Sequence, residues 1–574
     1  MSTPTEPATP TPPRRRRKPL RLTLGALMIL VLAIGGPMGW IAHRTRVQRE
    51  AVAAVLKAGG YVGYNGQRPR QTQVAAAPGP GPRWLRNLLG ADAFDTVTFV
   101  GISAERCDDR LMARIGDLDR LEQLNIQGRP LPPGLTTEGK SRIRNLTRLE
   151  SFVIQGPMDT NGFLPFVGGQ RRLRKLWLAR SSATDDDLAR IGRLTGMEDL
   201  DLDGSKVTDK GFAALANLTK MKRLTLGKCI VTDLSPVSGM TNLERLILGD
   251  GNFFTATSEG LRTMRLDSLR GKSKLIDVSL GNIPTDDAGL GVVASLPALI
   301  GFSASGRGIT EKGLAVLSSA PMLRDLGLRE TSIRDLRPFG PPIASLRFLD
   351  LTGTPVTDDG LAPLAGTSRM LRLLLSRTDI GDAGLAHLGA MSKLNDLRLE
   401  GTRVTDAGLA RLSGLASLRN LWLRRTRITG EGFSRLTALK QLAILDLSKT
   451  ALTDDGLATV AKLRSGATLI LRDTPITDQG LGRLKGLTGL TSLTLGGTRV
   501  TDAGLAHLAG LPRLASLGLS EPGITDAGLV QLEKLLPLKR LHVHCTRVTD
   551  AGLARLKAER PSLEIVTTPW PEVP

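Results

Sequence analysis

One stretch constrains this chain more than any other. LTSLTLGGTRVTDAGLAHLAGLPRL, Leu490 to Leu514, runs from the first leucine of one unit to the first leucine of the next. In LTSLTL the apolar residues Leu490, Leu493 and Leu495 are spaced as on the buried side of a short strand. In TDAGLAHLAGL the residues Leu505, Leu508 and Leu511 recur at three-residue steps, which places them on one face of a helix. Strand, turn, helix and return are complete in 24 residues. Neither piece can bury its apolar face alone, so the unit must lean on copies of itself, and the sequence predicts a solenoid.

The strand-opening residue can be followed along the chain. It recurs as Leu121, Leu149, Leu173, Met197, Met221, Leu243, Leu275, Leu299, Leu323, Leu346, Met370, Leu394, Leu418, Leu442, Gly466, Leu490, Leu514 and Leu538. These are eighteen predicted strands over residues 121–560, with room for partial ones at each end. Two spacings are long and mark insertions, Arg129 to Lys140 and Asn252 to Lys274. Insertions in such an array lengthen a loop without changing the stacking. The predicted fold class is α/β, with a curved parallel sheet on the concave side and helices on the convex side.

The front of the chain has a different character. Residues 1–21 read as a disordered basic tail that ends in RRRRKPLR. Leu22 to Ala42 then runs for 21 residues without a charge, the length needed to cross roughly 30 Å of hydrocarbon. A retained signal anchor is preferred to a cleaved or twin-arginine-type signal, because GWIAHRTR follows where small residues would mark a cleavage site. The modest excess of basic residues before the span orients the N-terminus inside and the repeats outside the cytoplasm. Residues 43–60 are expected to form a juxtamembrane stalk helix ending at Gly59-Gly60, and 61–83 a Gly/Pro-rich linker. Residues 84–120, with WLRNLLG and the strand-like DTVTFVGIS, are expected to cap the first repeat, and 561–574 the last.

The net charge of +22 favours anionic partners without naming one. Cys107, Cys229 and Cys545 are too few and too far apart for a disulfide framework or a zinc cluster. Gly134 to Ser141, GLTTEGKS, fits the phosphate-loop spelling, yet Pro132-Pro133 stand where a strand is required and Glu138 would repel phosphate. His542, His544 and Cys545 form an HxHC cluster whose two histidines share the concave side; adjacent coils offer only Gly518 and Ser520 there, which favours a surface pair over a metal site. Thr-Asp pairs such as Thr405-Asp406 and Thr501-Asp502 stand at helix starts, where they cap orphan N–H groups. The glycine that follows, for example Gly408 or Gly504, allows close approach of the next coil.

The unit LxxLxLxxT followed by x(V/I)TDxGLxxL resembles the ribonuclease-inhibitor-like class of leucine-rich repeats, and the 24-residue step with IGDAGLAHL is similar to the bacterial GALA type. The front end, with a basic run, one span and RxQREAVAAVLKAGG, resembles membrane-anchored bacterial proteins that carry such repeats. In that family the ninth position is usually Asn or Cys, whose side chain satisfies backbone groups of adjacent coils. Here it is Thr at nine positions from Thr331 to Thr546, with Ser181, Ser205 and Cys229 earlier, and a hydroxyl is expected to make the same kind of bond.

Two surfaces are candidates for a partner. On the concave face, beside the last strand leucine, lie Trp177, Arg398, Glu400, Trp422, Arg424, Asp446, Arg472 and His542, with Arg425 next to them; Trp and Arg there are what exposed anchors look like, and a Trp equally can pack on a neighbour. Along one edge Arg403, Arg427, Arg499 and Arg547 each follow the Thr of their unit and must line up, as a solvated edge or as a strip for an acidic partner. The expectation is a membrane-tethered recognition module that binds a protein by many weak contacts, with no catalysis and no cofactor. The alternatives are a binder of nucleic acid or an acidic polymer, and a ubiquitin-ligase-like or effector adaptor of the kind in which similar repeats occur.

Overall fold

The computed structural model describes residues 24–64, 95–128, 134–155, 161–178, 181–227, 229, 231–249, 263–463 and 467–568. The expected basic tail, the WLRNLLG face, most of the 61–83 linker, the first part of both insertions and Trp570 lie outside them.

Twenty-one strands pair in chain order. β1 (Tyr61–Tyr64) runs antiparallel to β2 (Val97–Ser103), and from β2 to β21 (Glu564–Val566) every strand is parallel to the next. All eighteen expected strands are present as β3 (Gln123–Gln127) to β20 (Arg540–Val543), each beginning two residues after its opening residue. The physical cause is the leucine wedge. Leu490, Leu493 and Leu495 are 0% exposed, Leu505, Leu508 and Leu511 at most 1%, and the same columns are buried in one continuous core along the array. Parallel pairing then follows, because each coil returns by its convex side to the same starting edge.

The convex side is less helical than expected. In the unit of Leu490 the α-helix covers only Asp502–Leu505 and continues as the 3-10 helix Ala506–Gly510. The three-residue leucine steps match the 3.0-residue turn of a 3-10 helix, and a 24-residue coil leaves little length for more. Longer helices occur where the unit supplies them, as in Asp454–Ala461 and Asp526–Glu533.

The N-terminal cap is built differently from the expected stalk and linker. α1 (Leu24–Lys57) is one helix whose second half lies against the first coil. Ala51 and Val55 are 0% exposed, Gln48 Nε2 donates to the Asp95 carbonyl at 2.7 Å, and Arg114 meets Glu50 at 2.8 Å. β1 then covers the free edge of β2, with Tyr61 stacked on Phe99 at 5.6 Å between ring centroids. Gly101 makes this possible, since a Cβ there would lie 2.3 Å from the Tyr61 ring. Sheet edges left open recruit other chains, and this antiparallel strand closes one. The expected span Leu22 to Ala42 is not recovered as such. Among the described residues no helix is long and apolar enough to cross a membrane.

At the far end Leu563 is 0% exposed. The Arg560 guanidinium donates to the carbonyls of Leu535, Leu536 and Leu538 at 2.9–3.0 Å, acceptors in the return that follows the Asp526–Glu533 helix.

Candidate partner-binding face

The Thr-Asp motif joins coils as well as capping them. Thr405 caps its own helix, its hydroxyl accepting from the Ala407 amide at 3.3 Å. The aspartate that opens the helix reaches forward: Asp382, which follows Gly381 in its own coil, accepts from the amide of Thr405, one coil on, at 2.7 Å and from its hydroxyl at 2.6 Å. The same double bond joins Asp185 to Thr208, Asp287 to Thr310, Asp454 to Thr477, Asp478 to Thr501, Asp502 to Thr525 and Asp526 to Thr549. The repeat glycine belongs to this joint, because a Cβ on Gly408 would lie 2.3 Å from Asp382 Oδ1. GLTTEGKS is a variant of the same joint: Asp109 accepts from the Thr136 amide and hydroxyl, and Thr137–Ser141 is the helix that follows. It is a repeat helix start rather than an inserted loop, and its Gly139 takes the place of the repeat glycine.

The ninth-position threonines act otherwise than expected. Thr378, Thr402, Thr426 and Thr450 donate to the carbonyl three residues earlier in their own coil at 2.6–2.7 Å. The earlier Ser205 and Cys229 reach the Leu226 and Leu248 carbonyls of the next coil, and Thr498 reaches the Glu521 carboxylate there.

On the concave face β14 (Asp396–Arg398), β15 (Asn420–Trp422), β16 (Ile444–Asp446), β17 (Thr468–Ile470), β18 (Ser492–Thr494), β19 (Ser516–Leu519) and β20 place Arg398, Trp422, Asp446, Ile470, Thr494, Gly518 and His542 in one row. Arg424 and Arg472 stand two residues further along their coils, half-buried. Of the two readings of Trp422, exposed anchor or ring packed on a neighbour, the structure has the second. Trp422 is 4% exposed, its indole donates to Asp396 at 3.2 Å, and the Arg398 guanidinium lies 5.0 Å from the ring centroid. Trp177 repeats the device half-buried: it donates to Asp199 at 2.7 Å, with Lys175 Nζ 3.5 Å from its centroid. An indole N–H turned away from water needs such an acceptor, and the ring face attracts the cation.

Two buried acids, Asp350 and Glu521, were not found in the sequence and join Glu400 and Asp446, which were. Asp350 is 1% exposed and pairs with the 7% exposed Arg329 at 3.6 Å. Asp446 accepts from Ser448, and Glu521, fully buried, accepts from Thr498 and the Ser520 amide. Burial pushes the carboxyls of Asp350, Glu400, Asp446 and Glu521 above their ordinary values, against the hydrogen bonds that pull them down. Asp350 and Asp446 share one strand position of the 24-residue register, which reading along that position finds, whereas Glu400 and Glu521 stand two and three residues further along their coils and no common position gives them.

The arginine edge exists as a line. Arg403, Arg427, Arg499 and Arg547 are exposed, and each backbone N–H donates to the coil before it, at Ile380, Val404, Ile476 and Ile524. Arg403 is paired with Asp379 at 2.6 Å. Beside the line runs a column of left-handed residues at coil corners, Arg425 (φ 57°) among them, with Gly401 and Gly497 in the same place. His542 is half-buried, and His544 Nε2 lies 3.6 Å from Cys545 Sγ. Among the described residues no group of three or more His, Cys, Asp or Glu could hold a metal ion.

A family model described as Leucine Rich repeat matches residues 344–365. The fold is a leucine-rich-repeat solenoid. Solved structures similar to it include an internalin from Listeria monocytogenes (19% identity, 76% of this chain and 94% of that one, TM-score 0.35). They also include the leucine-rich-repeat ectodomain of a membrane receptor kinase from Arabidopsis thaliana (16% identity, 83% and 67%, TM-score 0.44) and a leucine-rich-repeat protein of Leptospira interrogans (15% identity, 79% and 91%, TM-score 0.34). No curated protein matches the chain.

Proposed function

We propose that this leucine-rich-repeat solenoid is a recognition module that holds a protein partner on its concave face and performs no bond chemistry. One observation carries the reading: an in-register concave row holds Arg398, Trp422, Asp446 and His542 on a single sheet, with Arg424 and Arg472 two residues further along their coils. A face that fixes charges of both signs discriminates among partners by complementarity. The 24-residue step and the DAGL helix starts support assigning the repeats to the ribonuclease-inhibitor-like, GALA-type class. The uncharged run Leu22 to Ala42 behind a basic tail supports a membrane tether, with the repeats outside the cytoplasm.

A second reading, a binder of an acidic polymer or nucleic acid, is favoured by the exposed line of Arg403, Arg427, Arg499 and Arg547. Salt separates the two. Affinity of the whole chain for a model polyanion such as polyphosphate that exceeds its affinity for the native protein partner at moderate salt, with a steep log–log salt slope, selects the edge. A protein partner retained across the same range with a shallow slope selects the concave face.

A further inference from the structure

Near the C-terminal end of the array the concave face carries a recess lined by Arg472, Gly496, Gly518, Ser520, His542 and His544. The sequence makes it. In the row of Arg472 the next three coils present Gly496, Ser520 and His544, and in the row beside it Thr494 and Gly518 precede His542. Two adjacent coils that present glycine leave a gap between side chains that come from coils three apart, about 14 Å along the sheet at the usual strand spacing. Arg472 leans into that gap: a Cβ on Gly496 would lie 3.6 Å from Arg472 Nε and 3.2 Å from Ser520 Cβ.

No lining residue is acidic. Of the buried carboxylates around it, Asp446, whose charge acts on Arg472, accepts from the Ser448 amide and hydroxyl, and Glu521 from the Thr498 hydroxyl and the Ser520 amide, while Glu564 on β21 is held by Arg540 at 2.9 Å. The recess therefore offers a guanidinium fork, two imidazoles and a hydroxyl to an incoming acceptor. Burial and Arg540 hold the His542 imidazole below its ordinary value, with Glu564 opposing them. Arg472 is thus the one permanent charge in the lining, which matches a monoanion better than a dianionic phosphate.

We propose that this recess receives the carboxylate of a single Asp or Glu side chain from an acidic protein segment laid along the concave face. Arg472 would hold it in bidentate fashion, with Ser520, His542 and His544 completing the hydrogen bonds. The assignment rests on the concave-face reading and narrows its partner to an acidic protein.

The chain has five histidines, His43, His387, His507, His542 and His544, so their ring signals can be followed individually by NMR on the whole chain in mild detergent. The probes are a blocked peptide of alternating Glu and Ala, its Gln-Ala counterpart, and inorganic phosphate. The expected result is a saturable shift of His542 and His544 with the Glu peptide only, while His387 and His507 stay still. Arg472→Gln should weaken it by about tenfold or more, as the loss of a charge-assisted contact does. Gly496→Asp, which places a carboxylate in the gap, should abolish it with the melting temperature preserved. Equal or tighter saturation by phosphate would overturn the assignment. So would binding of the Glu peptide that leaves His542 and His544 unmoved, a result under which the concave-face reading survives and this recess does not.

Discussion

Replacing Asp382 by Ala tests the joint between coils. The substitution removes two charge-assisted bonds, to the Thr405 amide at 2.7 Å and hydroxyl at 2.6 Å. At about 1.5–3 kcal/mol each they sum to roughly 3–6, and because both residues are half-buried, water replaces part of the loss, leaving about 2–4 kcal/mol. Gly408→Ala attacks the same joint from the other side. Its Cβ would sit 2.3 Å from Asp382 Oδ1 and 3.0 Å from Asp382 Cα, an overpacking worth about 1–3 kcal/mol. Since the first clash vanishes when Asp382 is Ala, the double variant should fall short of the sum by about 1 kcal/mol or more. Urea unfolding gives the totals, and hydrogen exchange at the Thr405 amide localises them, since arrays can open coil by coil. A loss under about 0.5 kcal/mol for Asp382→Ala, or strict additivity with Gly408→Ala, would refute the joint.

Other expectations follow from single observations. Burial pushes Asp201 up to about 6, so between the unfolded value near 4 and that point the native state holds the extra proton and stability falls as pH rises. Asp201→Asn should therefore stabilise at pH 7 by about 1–2 kcal/mol, with no gain at pH 4, read from melting at both. The joint carboxylates run the opposite way: the Thr136 hydroxyl holds Asp109 below its usual range, and so does the Thr549 hydroxyl for Asp526. Their contribution is complete above the ordinary Asp value and is lost as pH falls below about 4. Native protein should titrate one thiol with a water-soluble disulfide reagent, the exposed Cys545, while buried Cys107 and Cys229, both pushed to about 12 by burial, react only on unfolding. Arg425 holds φ at 57°, where Gly401 and Gly497 stand in other coils, so Arg425→Gly should raise stability by roughly 0.5–1 kcal/mol in urea titrations.

What the sequence disclosed depended on whether the physics lies within a coil or between coils. The eighteen strand openings and their buried leucines were legible, because a 24-residue period writes the inward columns directly into the chain. The 3-10 character was written there too, in the three-residue steps of Leu505, Leu508 and Leu511. The forward reach of Asp382 to Thr405 was not, since capping by a residue's own coil and capping by its neighbour's leave the same letters. Trp422 was left between anchor and packed ring for a related reason: its acceptor, Asp396, and its covering cation, Arg398, belong to the preceding coil, and only stacking brings them to the ring. Glu521 illustrates the remainder, a carboxylate in a corner column whose burial depends on Thr498 one coil back. At the front, Val47 to Ala58 was legible as a helix, but its docking by Gln48, Ala51 and Val55 required the partner surface of the first coil.

The most direct test of concave-face recognition is paired photocross-linking in intact cells, with the photoreactive residue at Arg424 on the concave side or at Arg435 in the convex 3-10 helix Glu431–Arg435. The account predicts one discrete protein adduct from position 424 that is lost when Arg472 is made Glu, and none from position 435. Adducts of equal yield from both positions, or from position 435 alone, would contradict it.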